Sequence, residues 1–215
     1  MTKAFLSLFL LLSLASCGGG GGGGSASGSK GSGTPVSAQE ISTDAAVPSA
    51  ANNFDVNVKL ENFDAEQESK VLEAAELIKK VIATEEFKNA ILNHSYNGKK
   101  GFVDSAGLSN AEIYQKILEG SEKLNPGNNN AMDLELEVYH ANNVVVGYTM
   151  PSVIKIWMNS KFLDQNNAAE VTTNMTHEWL HKLGFKHSAD RTPTRKYSVP
   201  YAVGYLMRDL ARKMI

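Results

Sequence analysis

Apolar and polar residues alternate through Asp55-Val56-Asn57-Val58-Lys59-Leu60, the two-residue period that predicts a strand with one buried face. The period then changes. In the segment that opens DAEQESK, the apolar residues Val71, Leu72, Ala75, Leu77, Ile78, Val81 and Ile82 recur every three or four positions and predict an amphipathic helix; a second short helix is predicted from about Glu85 to Asn93. Ser109 three residues ahead of Glu112 is a capping-box pattern, in which each side chain satisfies the other residue's free backbone N–H, and predicts a helix as far as about Lys123. The asparagine-rich stretch 125–130 reads as a turn. Leu134, Leu136 and Val138 alternate with acidic residues as in a strand, and HANN at 140–143 reads as the turn of a hairpin leading into 144–148. A further strand is predicted over 153–158, and a helix capped by Asn167 from Ala168 to Leu183. Helices, then strands, then another helix define an α+β fold with a small mixed or antiparallel sheet packed on helices.

The first 53 residues lack this patterning. Residues 1–16 carry Lys3, an apolar run from Ala4 to Leu14 and then small residues, the layout of an export signal. The run is about half of the roughly 20 residues a spanning helix needs. Leu14-Ala15-Ser16-Cys17 resembles the lipobox of bacterial lipoproteins, which implies cleavage before Cys17 and its lipidation. Gly18 after the cysteine then implies the outer membrane as the destination within the cell envelope. Cys17 is the sole cysteine of the chain, so no disulfide is expected. Residues 17–53, with seven consecutive glycines, bury too little to offset their ordering entropy and read as a flexible tether. A coil of about 36 residues has an r.m.s. span of roughly 30 to 36 Å. Residues 54–215 are left as one domain, whose contact with a membrane runs through the N-terminal lipid only. Its charge excludes one class of partner: 21 Lys and Arg against 23 Asp and Glu, interspersed, argue against nucleic-acid binding.

Within HEWLHKLGFKH, residues 177–187, stand three of the chain's five histidines. On a helix, His177 and His181 lie on one face and can present two imidazoles to one ion. Glu178 is offset by about 100° and reaches a water on the metal without being a ligand. Gly184 can adopt the left-handed conformation that turns the chain back, bringing His187 round as third ligand. Three neutral imidazoles around Zn²⁺ leave a fourth position for water, the arrangement of a catalytic zinc. Such a zinc lowers the pKa of water to about 7 and polarises a carbonyl, with Glu178 as the general base.

The string matches HExxHxxGxxH and so resembles the zinc signature of the metzincin metalloproteases. The resemblance implies one zinc ion held by His177, His181 and His187, Glu178 as catalytic base, and a peptide or protein as substrate. No glutamate follows Glu178 to act as a downstream ligand, and Asp190 remains an oxygen alternative to His187. Metzincins also carry a methionine in a tight turn below the metal, often as Ser-x-Met-x-Tyr. Here Ser198-Val199-Pro200-Tyr201 is similar, but Pro200 takes the methionine's place, leaving Met207 as the structural candidate. Tyr201 is then expected to point at metal or substrate, with Tyr197 and Tyr205 as rivals; the alternative is that Tyr201 simply opens the apolar face of the final helix. The family binds substrate as an added strand, for which 144–148 and 154–158 are candidate edges. Asn159 is expected to cap or tie the sheet to the active helix, and His94 and His140 to be surface or turn residues. Two other functions fit the same residues: hydrolysis of a non-protein amide, and noncatalytic zinc binding.

Overall fold

The computed structural model describes residues 53–215. The export signal, Cys17 and nearly all of the tether lie outside the described residues. The order of elements is β1 (Asp55–Glu61), α1 (Ala65–Ile82), α2 (Glu85–Leu92), β2 (Ser95–Tyr96), β3 (Lys99–Lys100), α3 (Asn110–Glu119), β4 (Ala131–Tyr139), β5 (Gly147–Thr149), β6 (Ile156–Asn159), α4 (Ser160–Gln165), α5 (Ala168–Lys182), a 3₁₀ turn (Arg195–Tyr197) and α6 (Val199–Ala211). This is a mixed α+β architecture with one four-stranded sheet, in the order β1-β4-β6-β5, and a separate hairpin of β2 and β3. No helix among the described residues is long and apolar enough to cross a membrane.

Local sequence explains most boundaries. Asp64 caps α1 by accepting from the backbone of Glu66 and Gln67, while the Gln67 side chain returns to the Asp64 N–H. The predicted box of Ser109 and Glu112 is present, but α3 stops at Glu119, short of Lys123. Gly120 breaks it: the residue has φ 66°, and a Cβ there would stand 2.1 Å from the Ala131 carbonyl oxygen. Asn167 caps α5 through the Glu170 N–H, as the sequence predicted. The short α4 was not anticipated.

The hairpin predicted from HANN does not form. β1, β4 and β6 run parallel, and the antiparallel pair is β5 with β6, so β5 lies at the far edge of the sheet. The physical reason is Asn159, whose Nδ2 donates to the carbonyls of Ala141 (3.1 Å) and Val145 (3.0 Å), strapping 141–145 across the end of β6. A turn signal marks where a chain bends, not which strand it will pair with. Asn159 also caps α4 through Lys161 N–H, so its tie runs to α4 and not to the helix that carries His177.

One face of the sheet buries Leu134, Leu136, Val138, Ile156 and Met158 in a core shared with α1, α5 and α6. The other face is polar: Lys155 pairs with Glu61 and Glu137, each at 2.7 Å, and the Trp157 indole donates to Glu137 at 3.1 Å. α5 is thus central, flanked by α1 and α6 and ending beside β5.

Candidate metal centre

The last two turns of α5 carry His177 and His181, and the chain reverses immediately after. Gly184 makes the reversal possible at φ 98°, with Phe185 N–H returning to the Leu180 carbonyl at 3.1 Å. His187 is thereby brought back over the helix. The Nε2 atom of His177 lies 3.2 Å from that of His187 and 3.3 Å from that of His181. The three histidines lie close enough to bind one metal ion.

The opposite ring nitrogens settle the orientation. His181 Nδ1 lies 2.8 Å from the Phe185 carbonyl, His187 Nδ1 lies 2.9 Å from the Ser188 carbonyl, and His177 is hydrogen-bonded to the backbone of Pro200. A carbonyl only accepts, so Nδ1 of His181 and Nδ1 of His187 carry the proton and their Nε2 atoms present lone pairs. The Nε2 atoms of His181 and His187 thus both turn a lone pair toward His177 Nε2. Ligands at the Zn–N distance of about 2.0–2.1 Å sit about 3.3 Å apart at tetrahedral angles, and the two separations from His177 Nε2 match that spacing. Carbonyl-anchored imidazoles are also the usual support of metal-bound histidine.

Burial keeps these rings neutral. It pushes His177 down to about 3, with the charges of His181 and His187 adding to the effect, and burial likewise lowers His181 and His187. Glu178 moves the other way. Only 6% exposed, its carboxyl is raised by burial to about 7, partly opposed by Lys182 and by a hydrogen bond to the Thr149 backbone. It lies in the same cleft as the histidines and is not one of the convergent three.

The cleft is open, about 740 Å³, with β5 and the chain before it on one wall and residues 191–208 on the other. Tyr201 packs its ring 4.4 Å from that of His177 and 4.8 Å from that of His187. It sits in the first turn of α6 and not in a separate tight turn, since that helix starts directly after Ser198 and Pro200 occupies its first turn. Pro200, in the methionine's place, supplies the backbone partner of His177. Met207 is fully buried further along α6 and does not line the cleft. Tyr205 lines it, whereas Tyr197 packs against Tyr96. Asp190 is exposed and outside the cluster. His94 stacks on Phe102 and His140 contacts Ser160, so neither joins the other three. Of the two candidate edges, β5 borders the cleft; β6 lies inside the sheet.

Several residues in or behind the cleft carried no sequence signal that a local pattern could detect. Asn174, 6% exposed, has an Oδ1 without a partner and stands where a Cβ on Gly147 would meet it at 2.4 Å. Gly204 lets α6 approach, since a Cβ there would lie 3.1 Å from the Thr173 carbonyl and 3.6 Å from His177 Cβ. Lys182 reaches from α5 to the carbonyls of Val153 and Lys155, fixing the β5–β6 turn. Arg195 lies over the Tyr201 ring at 4.8 Å, and its charge bears on all three histidines. The basic cluster Arg191, Arg195 and Lys196 in RTPTRK was the one visible hint.

The chain matches no protein-family model, no curated protein and no solved structure with which it was compared.

Proposed function

We propose that this chain is a zinc-dependent peptide hydrolase of metzincin type. The observation that carries the reading is the convergence of three imidazole Nε2 atoms, two of them on rings anchored to backbone carbonyls through Nδ1, with a buried carboxyl in the same cleft. His177, His181 and His187 hold the ion. Bound there, zinc would supply Lewis acidity to a water and to the scissile carbonyl. Glu178 accepts a proton from the attacking water and delivers it to the leaving amine, a task suited to a carboxyl raised to about 7. β5 aligns an extended peptide through its free backbone groups. Tyr201, held against two of the ligand rings, donates toward the developing oxyanion. By the reading of Cys17, the enzyme is lipid-anchored at a bacterial cell envelope, in the outer membrane.

The test uses the full chain. Metal analysis of the folded protein is expected to find one zinc per chain, and a peptide mixture is expected to be cleaved by it and not by Glu178→Gln at equal zinc content. Folded protein without metal, or cleavage unchanged in the variant, overturns the proposal.

A further inference from the structure

The two walls of the cleft differ in charge. The β5 wall offers backbone groups and apolar side chains such as Val145 and Val146, with Asn174 of α5 against Gly147. The facing wall offers Arg191, Arg195, Lys196 and Arg208. The acidic residues lining the cleft are Glu170 and Glu178. Glu170 is committed to Arg212 at 2.5 Å and Glu178 is buried, while Arg208 is held by Asp209 at 2.8 Å. Arg191, Arg195 and Lys196 form no ion pair among the described residues, although Asp190 is a sequence neighbour.

Arg195 is held in place. It stacks on Tyr201 at 4.8 Å, its Nη1 touches the Ala189 carbonyl at 3.4 Å, and its Nε is buried without a partner. An arginine on a flexible surface would point its whole fork at water. Here the guanidinium lies one aromatic ring away from His177 and His187, in a cleft where Glu170 and Arg208 are paired to other residues and Glu178 is buried. A guanidinium matches the two oxygens of a carboxylate better than any other side chain does.

We propose that the ligand of this cleft carries a carboxylate on the side facing residues 191–196, and that Arg195, flanked by Arg191 and Lys196, selects it; the substrate is an acidic peptide. The inference rests on the peptide-hydrolase reading for its chemistry but not for its charge preference. The carboxylate belongs either to an Asp or Glu side chain near the scissile bond or to a free C-terminus. Arg195 is a specificity-determining residue and takes no proton in the reaction.

The experiment uses the zinc-loaded full chain and matched peptides that differ by Glu or Gln at one position, each with free and amidated C-termini. The first arm measures kcat/KM. A preference of tenfold or more for Glu in amidated peptides assigns the selection to a side chain; a similar loss on amidation assigns it to the terminus. Arg195→Glu is expected to abolish the preference and favour a Lys peptide, and Arg195→Lys to retain part of it, with zinc content unchanged in both. The second arm measures binding of the same peptides to zinc-loaded Glu178→Gln, where the acidic peptide is expected to bind at least tenfold tighter at low salt and to lose that margin as salt rises. Cleavage without preference overturns the inference and leaves the hydrolase standing. Preferential binding without cleavage by the wild-type chain overturns the hydrolase and leaves the inference standing. Equal binding of acidic and neutral peptides, or an unchanged preference in Arg195→Glu, overturns the inference.

Discussion

α1 and α5 lie side by side under the same sheet, at 18 and 15 residues, and they bury opposite chemistry. Apart from Gln67, the buried residues of α1 are apolar: Val71, Ala74, Ala75, Leu77, Ile78, Val81 and Ile82. α5 buries Thr172, Asn174, Thr176, Glu178 and Lys182 among its apolar positions. Each buried polar group costs free energy unless it is matched, and Asn174 and Thr176 each keep a side-chain oxygen without a partner. A helix selected for stability alone has no reason to tolerate this. The difference teaches that α1 and its neighbours supply the cohesion that lets α5 hold a site.

The sharpest way to break that division is at Glu178. Glu178→Gln is expected to lower turnover about 10²–10⁴-fold, in the range of a lost general base, while urea unfolding and metal content stay close to wild type. A large loss of stability instead would make Glu178 a structural residue. Ile78→Ala on α1 is expected to do the reverse: a core truncation of this kind costs about 2–5 kcal/mol, read in the denaturant midpoint, with zinc stoichiometry unchanged in the folded fraction.

Acid separates the two helices next. In the unfolded chain each histidine of the cluster takes up a proton near 6.5, whereas folded His177 resists until about 3 and the other two are also lowered. The unfolded state therefore binds more protons throughout that window, and the metal-free protein loses stability as pH falls from 6.5 toward 3. Glu178 opposes this in part: its folded value is about 7 against an ordinary 4.5, so its protonation stabilises the fold as pH falls between them. Three groups outweigh one, and below 4.5 the opposition ends. Denaturant midpoints measured with a chelator are expected to rise slightly from pH 7.5 to about 6.5, where Glu178 alone takes up its proton, and to fall from there to pH 4; a continued rise below 6.5 would contradict the buried neutral imidazoles. Ile78→Ala should move the curve down without changing its slope.

Smaller effects sharpen the picture. Gly184→Ala forces a side chain into φ 98°, a strain of about 1–3 kcal/mol, and is expected to weaken zinc binding because the reversal positions His187. Asp64→Ala and Asn167→Ala each remove an N-cap worth about 1 kcal/mol. Both are expected to lower thermal stability alike and to leave zinc stoichiometry alone, since the entrance of α5 lies far along the helix from its histidines.

What the sequence made legible follows this same line between local and distant. The capped starts of α1, α3 and α5, the first strand, and the grouping of His177, His181 and His187 through Gly184 all depend on residues a few positions apart. The pairing of β4 with β1 and β6, the edge position of β5 and the premature end of α3 depend on partners far along the chain, such as Asn159 against Ala141 or Gly120 against Ala131. Arg195 and Asn174 belong to the second kind: each becomes visible as part of the cleft only when α5 and α6 are packed together.

The parallel pairing of β1 with β4 has a consequence for the order in which the molecule can be made. Asn57 reaches Asp133 across 76 positions, and a chain emerging from its N-terminus must hold β1 unpaired until β4 exists. The histidines come later still, and their helix packs on α1, made about a hundred residues before. β1 therefore pairs and α5 docks on α1 only late, and a nascent chain cannot present three converging imidazoles to an ion until nearly all of it has been synthesised.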